Sequence, residues 1–247
     1  MAEPDAPVVQ GRPSSSYTGS VQPEILAEQL GVVARRLQSE PTLEGTLQAI
    51  VEAAVDTVPG AGYAAISQVR RRREVYTPVA TDELVLRVDQ AQYDTGEGPC
   101  LDSLFEHYTV RLPTVSDEPR WPTFSARAAD LGIGSMVSFQ LYVNGDDLGA
   151  LNLYASEPKA FTDESEQAGL LFATHAAVAM GDAQRIEHLT RALGVREVIG
   201  QARGILMERH KLTADQAFTV LVHVSQRTNV KMAEIARHLT ETGELLG

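Results

Sequence analysis

The apolar positions of the chain predict helices first and strands afterwards. From residue 24 to 38, and again from Leu43 to a stop at Pro59, apolar side chains recur every three or four residues, which predicts two amphipathic helices. GYAAISQV and EVYTPVAT then have the composition of two strands joined by Arg70–Arg73. SMVSFQLYV and DDLGALNLYA predict a later pair joined by the turn Asn144–Gly145–Asp146.

The stretch between the two strand pairs predicts shorter elements. They are a helix at 82–93, a loop with the sequence GEGPC, a short segment TVRLPTV and a helix near 124–131. Helices arranged around two strand pairs predict an α+β domain built on an antiparallel sheet.

A helical pattern without proline runs from Thr162 to beyond Glu208. A helix of that length measures about 68 Å at 1.5 Å per residue, which is more than one small domain can cover. We therefore expect it to pair with a second copy as a coiled coil, together with the helix at 24–38. Gly181 and Gly194 are its weak points, since glycine lowers helix stability.

The segment VIGQARGILMER, residues 198–209, has two distinct helical sides. Apolar residues occupy one side, and Gly200 and Gly204 leave the other without side chains. Each glycine costs a helix interior roughly 1 kcal/mol relative to alanine, so this pair suggests close approach of another backbone or a nucleic acid. Donors around the bare side are Gln201, Arg203 and Arg209.

Two more helices complete a three-helix domain. Thr213 is a good N-cap with Gln216 in the capping-box position, and RTNV predicts a turn before a third helix at 231–239. The pattern predicts a core made of the following side chains: Ala217, Phe218, Val220, Leu221, Val224, Met232, Ile235, Ala236 and Leu239.

The C-terminal motifs IGQARGILMER, TADQAF and LVHVSQRTNVKMAEIA resemble, in order and spacing, the ANTAR domain of bacterial transcription antitermination regulators. The resemblance covers about residues 185–239 and implies RNA binding. It implies an RNA-facing surface formed by Gln201, Arg203, Gly204, Ser225, Gln226, Arg227, Asn229 and Lys231. Arg209, a donor beside the bare side, is the ninth predicted RNA-binding residue. By the same resemblance, the RNA is a pair of stem-loops with six-nucleotide loops, whose binding displaces a terminator hairpin.

The N-terminal motifs TGEGPC, DEPRWPTF, LGIGSMVSFQL and LGALNLYA resemble a GAF domain of the kind found in actinobacterial GAF–ANTAR regulators. This resemblance covers about residues 24–180. It implies a sensory module that binds a small ligand between its sheet and its insertions, or that serves mainly in dimerisation. The aromatic strand residues Tyr63, Tyr76, Phe139 and Tyr142 are candidates for lining such a pocket, although strand aromatics are more often core residues.

Composition bounds these interpretations. With 247 residues, 43% of them apolar, the chain can bury ordinary cores, and no apolar run reaches the roughly 20 residues that span a bilayer. No export signal is apparent, so we expect a cytoplasmic protein. The single cysteine, Cys100, matches no metal-ligand spacing and is best explained by packing, ahead of redox sensing or catalysis. The scattered histidines indicate no metal site, and no cofactor is expected.

The net charge of −12 is unevenly distributed, which changes its meaning for nucleic-acid binding. Residues 1–184 hold 12 Lys and Arg against 26 Asp and Glu, whereas residues 185–247 hold 9 against 7. A locally basic domain on an acidic protein permits phosphate contacts while opposing indiscriminate binding. The run Arg70–Arg73 is better explained as a solvated hairpin tip than as an auxiliary RNA contact.

The patterns predict a disordered tail over 1–23, and together with the two resemblances they imply a GAF sensory domain over 24–183 and an ANTAR RNA-binding domain over 184–247. The predicted function is signal-responsive antitermination by a homodimer. Two alternatives stay open: a DNA-binding regulator, since the last two helices outline a helix-turn-helix, and a ligand sensor that acts through a partner protein. No convergent acid, base and nucleophile indicates an enzyme.

Overall fold

The computed structural model describes residues 23–70, 74–105, 109–143 and 146–246. The predicted disordered tail, apart from Pro23, lies outside these ranges, as do Arg71–Arg73 and the turn residues Asn144 and Gly145. The described helices are α1 (Pro23–Ser39), α2 (Leu43–Thr57), α3 (Glu83–Thr95), α4 (Pro99–Phe105), α5 (Pro122–Asp130), α6 (Asp163–His210), α7 (Ala214–Thr228) and α8 (Met232–Thr242). The strands are β1 (Tyr63–Arg70), β2 (Glu74–Ala80), β3 (Thr109–Leu112), β4 (Ser135–Val143) and β5 (Asp146–Ala155).

The five strands form one antiparallel sheet in the order β2-β1-β5-β4-β3. The two hairpins predicted from the sequence lie side by side, because β1 of the first pairs with β5 of the second, with Ile66 opposite Leu151. This arrangement confirms the predicted α+β domain with an antiparallel sheet. We call it the sheet domain.

Helices cover both faces of the sheet. On one face, α1, α2 and the first part of α6 pack on Ile66, Phe139 and Leu151. On the other face, α3 and α5 pack on Ala65, Met136 and Tyr154, and α4 packs on Ala150 nearby. Alternate residues of each strand therefore enter two separate cores, as the period of two along a strand requires.

Two of the sequence motifs meet at the start of α5. Trp121 occupies the N-cap position of this helix, but its side chain makes no capping hydrogen bond. The Glu97 carboxylate of TGEGPC accepts hydrogen bonds from the backbone N–H groups of Thr123 and Phe124, at 2.9 and 3.1 Å. A carboxylate at a helix N-terminus satisfies free N–H groups and complements the helix dipole. Glu97 therefore attaches the loop between α3 and α4 to the start of α5.

The predicted loop GEGPC is partly wrong, because its last two residues, Pro99 and Cys100, begin α4. This helix has seven residues, too few to show a helical period in the sequence. Gly98 precedes it at φ +134°, and a side chain there would meet the Gln92 side chain at 2.3 Å. The loop therefore needs glycine at that position.

The long helix α6 is continuous over 48 residues, and Gly181 and Gly194 lie inside it without interrupting it. It begins at a capping box in which Thr162 and Ser165 bond each other's backbone N–H groups. Its first part lies close to the sheet at Gly169, where a Cβ atom would stand 2.3 Å from the Phe139 ring. Beyond Met180 the helix leaves the sheet domain and becomes the first helix of the C-terminal domain.

The three C-terminal helices enclose a small core of their own. Its fully buried members are Ala202, Leu206, Ala217, Leu221, Ile235, Ala236 and Leu239, with Val224 at their edge. Thr213 caps α7 and forms the predicted capping box with Gln216. One predicted core residue is misplaced: Phe218 is 41% exposed. We call this unit the three-helix domain.

Candidate nucleic-acid interface

The bare side of α6 is open to solvent. Beyond the neighbouring helix backbone, a side-chain atom added at Gly200 or Gly204 would have no described residue within 4 Å, and Gln201 beside them is exposed. Neither glycine is therefore required by packing within one copy of the chain, which leaves the cost of two helical glycines unexplained by the fold. The bare surface is therefore accessible to a molecule outside this chain.

The turn between α7 and α8 gathers five of the predicted RNA-binding residues. The Ser225 hydroxyl donates to the carbonyl oxygen of Val230 at 2.7 Å, and Asn229 ends α7 in the left-handed conformation at φ +55°. Ser225 and Asn229 thus shape the turn, a role that asparagine suits because it tolerates positive φ. Gln226, Arg227 and Lys231 are exposed around it, with Lys231 as the N-cap residue of α8.

Arg203 lies at the other end of α7. Its Nε donates to the carbonyl oxygen of Ala214 at 3.2 Å, and its guanidinium carbon stands 5.7 Å from the centre of the Phe218 ring. The distance is within the range of a cation–π contact. Ten residues of helix separate Phe218 from Thr228, so the Arg203 group and the turn are about 15 Å apart along α7.

Arg209 has a contact within the chain. Its guanidinium donates to the carbonyl oxygen of Gly243, which ends α8 at φ +79°. Arg209 therefore ties the end of α6 to the end of α8, and it lies beyond Arg203 on the side away from the turn. The nine predicted RNA-binding residues thus divide into the turn group, the group around Gly204 and Arg203, and Arg209 apart from both.

The four aromatic residues proposed for a ligand pocket do not surround one space. Phe139 is fully buried in the core beneath α6, and Tyr76 donates to Gln68 Oε1 at 2.8 Å on that same face. Tyr63 packs on the opposite core, against α3 and α5. Tyr142 is 43% exposed. Strand alternation divides the set between the two faces, which the residue types alone did not reveal.

A buried polar network between the sheet and α3 was not predicted from the sequence. The Asp89 carboxylate accepts from Thr77 at 2.7 Å, from Gln92 at 3.0 Å and from the hydroxyl of Tyr154. Burial raises the pKa of Asp89 to about 6, although these hydrogen bonds act in the opposite direction. Spacing could not find the network because its members come from β2, α3 and β5.

Cys100 belongs to the same buried region. Its thiol donates to the Ser67 hydroxyl at 3.1 Å, and its backbone N–H donates to Gln92 Oε1 at 2.9 Å. Burial, and then the nearby charge of Asp89, raises the pKa of the Cys100 thiol to about 12. The thiolate is the reactive form of cysteine, so this environment suppresses its reactivity.

Comparison with family models matches two regions in order. Residues 40–181 match the GAF domain, and residues 187–239 match the ANTAR domain. The chain belongs to the GAF domain family. An ANTAR domain follows the GAF domain, and the three-helix domain contains it. GAF domains are sensors and ANTAR domains are RNA-binding antitermination modules, so both parts of this GAF–ANTAR chain are of a regulatory kind.

Solved structures share the GAF fold at low identity. The GAF domain of a phosphoenolpyruvate-protein phosphotransferase from Coxiella burnetii is 17% identical, with a TM-score of 0.53 over 66% of this chain and 96% of its own. A bacteriophytochrome from R. palustris is 13% identical, with a TM-score of 0.55 over 85% of this chain and 48% of its own. At such identities the likeness concerns the fold alone. The comparison with curated proteins found no match.

The described part of the GAF–ANTAR chain contains neither a candidate membrane span nor a candidate metal site. Among the helices of residues 23–70, 74–105, 109–143 and 146–246, none combines the length and the apolar composition of a membrane span. Within those same ranges, no group of three or more His, Cys, Asp or Glu side chains is placed to hold a metal ion.

Proposed function

We propose that this chain is a signal-responsive transcription antitermination regulator of the actinobacterial GAF–ANTAR type. A sensor domain over 24–183 controls an RNA-binding domain over 184–247, which binds paired stem-loops in a nascent transcript and displaces a terminator hairpin. Such a regulator acts in the cytoplasm, where transcripts are made, and performs no catalysis. The observation that carries the proposal is the ANTAR match, which includes both the bare Gly200–Gly204 side and the α7–α8 turn.

The exposed side chains of the ANTAR domain suit RNA loops. Gln201 and Gln226 offer amide groups for base edges, and Arg227 and Lys231 offer cations for phosphates. Gly204 lets the RNA backbone come near α6, while Ser225 and Asn229 hold the turn in shape. Arg209 supports this surface indirectly, by fixing the end of α8.

The proposed active form is a homodimer joined along α6. Ile186, Leu189 and Leu193 are 61, 59 and 65% exposed, although apolar side chains of this size are stabilised by burial. At about 100° per residue they lie within about 60° of one another around the helix, and the proposed contact ends before Gly200, which leaves the bare side of α6 free for RNA. A cavity of about 500 Å³ between Pro41, Leu43 and Ile186 adjoins this stripe and offers room for side chains of the second copy.

The proposed signal is a small molecule bound by the GAF domain, between the sheet and helices α3 and α4. Within the described residues, Asn152 Oδ1 is a buried oxygen without a hydrogen-bond partner, while Asn152 Nδ2 donates to Ser67 at 2.9 Å. A buried acceptor in this state is stabilised by any ligand or water that donates to it. This observation supports the region beside Asn152 as the place where a ligand acts.

The function is tested by titrating the full chain into labelled RNA that carries two stem-loops with six-nucleotide loops. We expect saturable binding that unlabelled RNA of the same sequence displaces and duplex DNA of equal length does not. Preferential displacement by the duplex would instead support a DNA-binding regulator. If a folded protein bound neither nucleic acid, the alternative of a sensor acting through a partner protein would replace the proposal.

A further inference from the structure

The exposed ring of Phe218 differs from the rest of the apolar side of α7. Ala217, Leu221 and Val224 are buried in the three-helix core, whereas the Phe218 ring lies outside it and is 41% exposed. A single exposed aromatic residue is common on protein surfaces and has no meaning by itself. The contact with Arg203 distinguishes this one.

Arg203 covers the Phe218 ring from α6. Its guanidinium carbon is 5.7 Å from the ring centre, and its Nε is anchored on the carbonyl oxygen of Ala214 at 3.2 Å. Arg203 is also adjacent in sequence to Gly204, where no described residue beyond the neighbouring helix backbone stands within 4 Å of the missing side chain. A planar cation and an aromatic ring are thus presented together beside a surface that leaves room for a ligand.

We propose that Phe218 and Arg203 form a stacking site for one unpaired base of the RNA loop. The base takes the place of the guanidinium on the ring, and Arg203 moves to the phosphate beside that base. Every base has an aromatic face, and stacking on a ring is stronger than an exposed cation–π contact, so the exchange favours the bound state. This inference rests on the proposed RNA-binding function and adds a residue that resemblance did not supply.

The stacking site accounts for both the bare side of α6 and the distance from Phe218 to the α7–α8 turn. A bare helix side beside Arg203 admits the sugar-phosphate chain that leads the base to the ring, which a leucine or lysine at Gly204 would obstruct. The distance of about 15 Å from Phe218 to the α7–α8 turn fits several nucleotides of one loop, so a base at Phe218 and phosphates at Lys231 belong to one bound RNA.

The test compares full-length variants in the same RNA titration at two salt concentrations. Phe218→Leu removes the ring and keeps an apolar side chain, and we expect it to weaken binding about tenfold without changing the salt dependence, since stacking releases no counterions. Phe218→Tyr keeps the ring and should bind like the wild type. The matched control is Phe105→Leu, which removes an exposed ring from the GAF domain and should have no effect.

A second measurement reports stacking directly. Each unpaired loop position is replaced in turn by fluorescent 2-aminopurine, and one position should be quenched on binding by the wild type and by Phe218→Tyr but not by Phe218→Leu. Wild-type affinity in a folded Phe218→Leu, or no position whose quenching depends on the ring, would overturn the stacking site while RNA binding stands. Failure of the wild type to bind the RNA at all would overturn the proposed function itself, and the stacking site with it.

Discussion

The hydroxyl of Tyr154 donates a hydrogen bond to Oδ1 of Asp89, and both side chains are fully buried between the sheet and α3. The contact joins β5, at the centre of the sheet, to the helix that covers it. Its strength depends on the charge of Asp89, and that charge depends on pH.

We expect Asp89 to make the GAF domain less stable as the pH rises. Burial raises its pKa from 3.8 to about 6, so the folded state holds the proton more tightly than the unfolded state. The stability gained from that proton is full below pH 3.8 and is lost as the pH rises through 6. The free energy of unfolding of the wild type relative to Asp89→Asn should therefore fall by on the order of 2–3 kcal/mol between pH 4 and pH 7.

Urea unfolding followed by circular dichroism at four pH values measures this difference. Asp94→Asn is the control, because it removes an exposed carboxylate from the same helix. Parallel pH profiles for the wild type and Asp89→Asn would refute the assignment of the titration to Asp89.

Cys100 should be inert in the folded protein. Burial raises the pKa of its thiol to about 12, so almost none is thiolate at neutral pH, and the side chain is completely enclosed. In urea, a chromogenic disulfide reagent should react with the Cys100 thiol only as fast as the domain unfolds. Cys100→Ser should leave RNA affinity unchanged under reducing conditions, and a folded Cys100→Ser that had lost RNA binding would contradict the packing role.

Periodicity was sufficient to predict the long helices and strands, and characteristic residue types were sufficient to predict helix caps and turns. The capping box of Thr213 and Gln216 and the unbroken helix α6 followed directly from residue types and spacing. The order of the strands in the sheet, the buried network around Asp89 and the split of the four aromatic residues did not. These features depend on which distant segments pair, and one sequence contains no record of pairing between β1 and β5.

Phe218 shows the same limit within a single helix. Its position at helical spacing from Leu221 predicts burial, but the small core of the three-helix domain has room for only part of the apolar side of α7. The smaller Ala217 takes the inner position and the ring is left outside, against Arg203. Tertiary packing therefore decides whether such a residue is core or surface, and here it leaves the ring accessible for the proposed stacking site.

A charge introduced into the exposed stripe of α6 should dissociate the proposed homodimer. Leu189→Glu places a carboxylate where apolar side chains of two copies would meet, so sedimentation at tens of micromolar should change from dimer to monomer. His188→Glu introduces the same residue about 100–160° away from Ile186, Leu189 and Leu193 around the helix and should stay dimeric. A wild type that is monomeric at that concentration would contradict the homodimer.

Gly204→Leu should separate folding from RNA binding. Leucine favours a helix interior by roughly 0.5–1 kcal/mol over glycine, and the site is open, so thermal stability should rise. RNA affinity should fall, because the side chain fills the space proposed for the RNA backbone. Gly194→Leu is the matched control, since Gly194 is equally open and lies on another side of α6. Sedimentation of both variants checks that a change in dimerisation is not the cause.

Lys231 and Arg203 should each contribute one phosphate contact to the bound RNA. Lys231 is exposed at the N-cap of α8, beside the turn, and Arg203 reaches a phosphate once a base has replaced it on Phe218. Each phosphate contact releases condensed counterions, so Lys231→Ala and Arg203→Ala should each lower the slope of log affinity against log salt by about 0.7–0.9.

Arg237→Ala removes an equally exposed cation from the middle of α8, away from the turn, and should leave the slope unchanged. The measurement is the two-stem-loop RNA titration at four salt concentrations, with circular dichroism to verify folding. A slope that falls as much in Arg237→Ala as in the other two variants would mean that the domain attracts RNA by its overall charge, without the surface proposed between Gly204 and the α7–α8 turn.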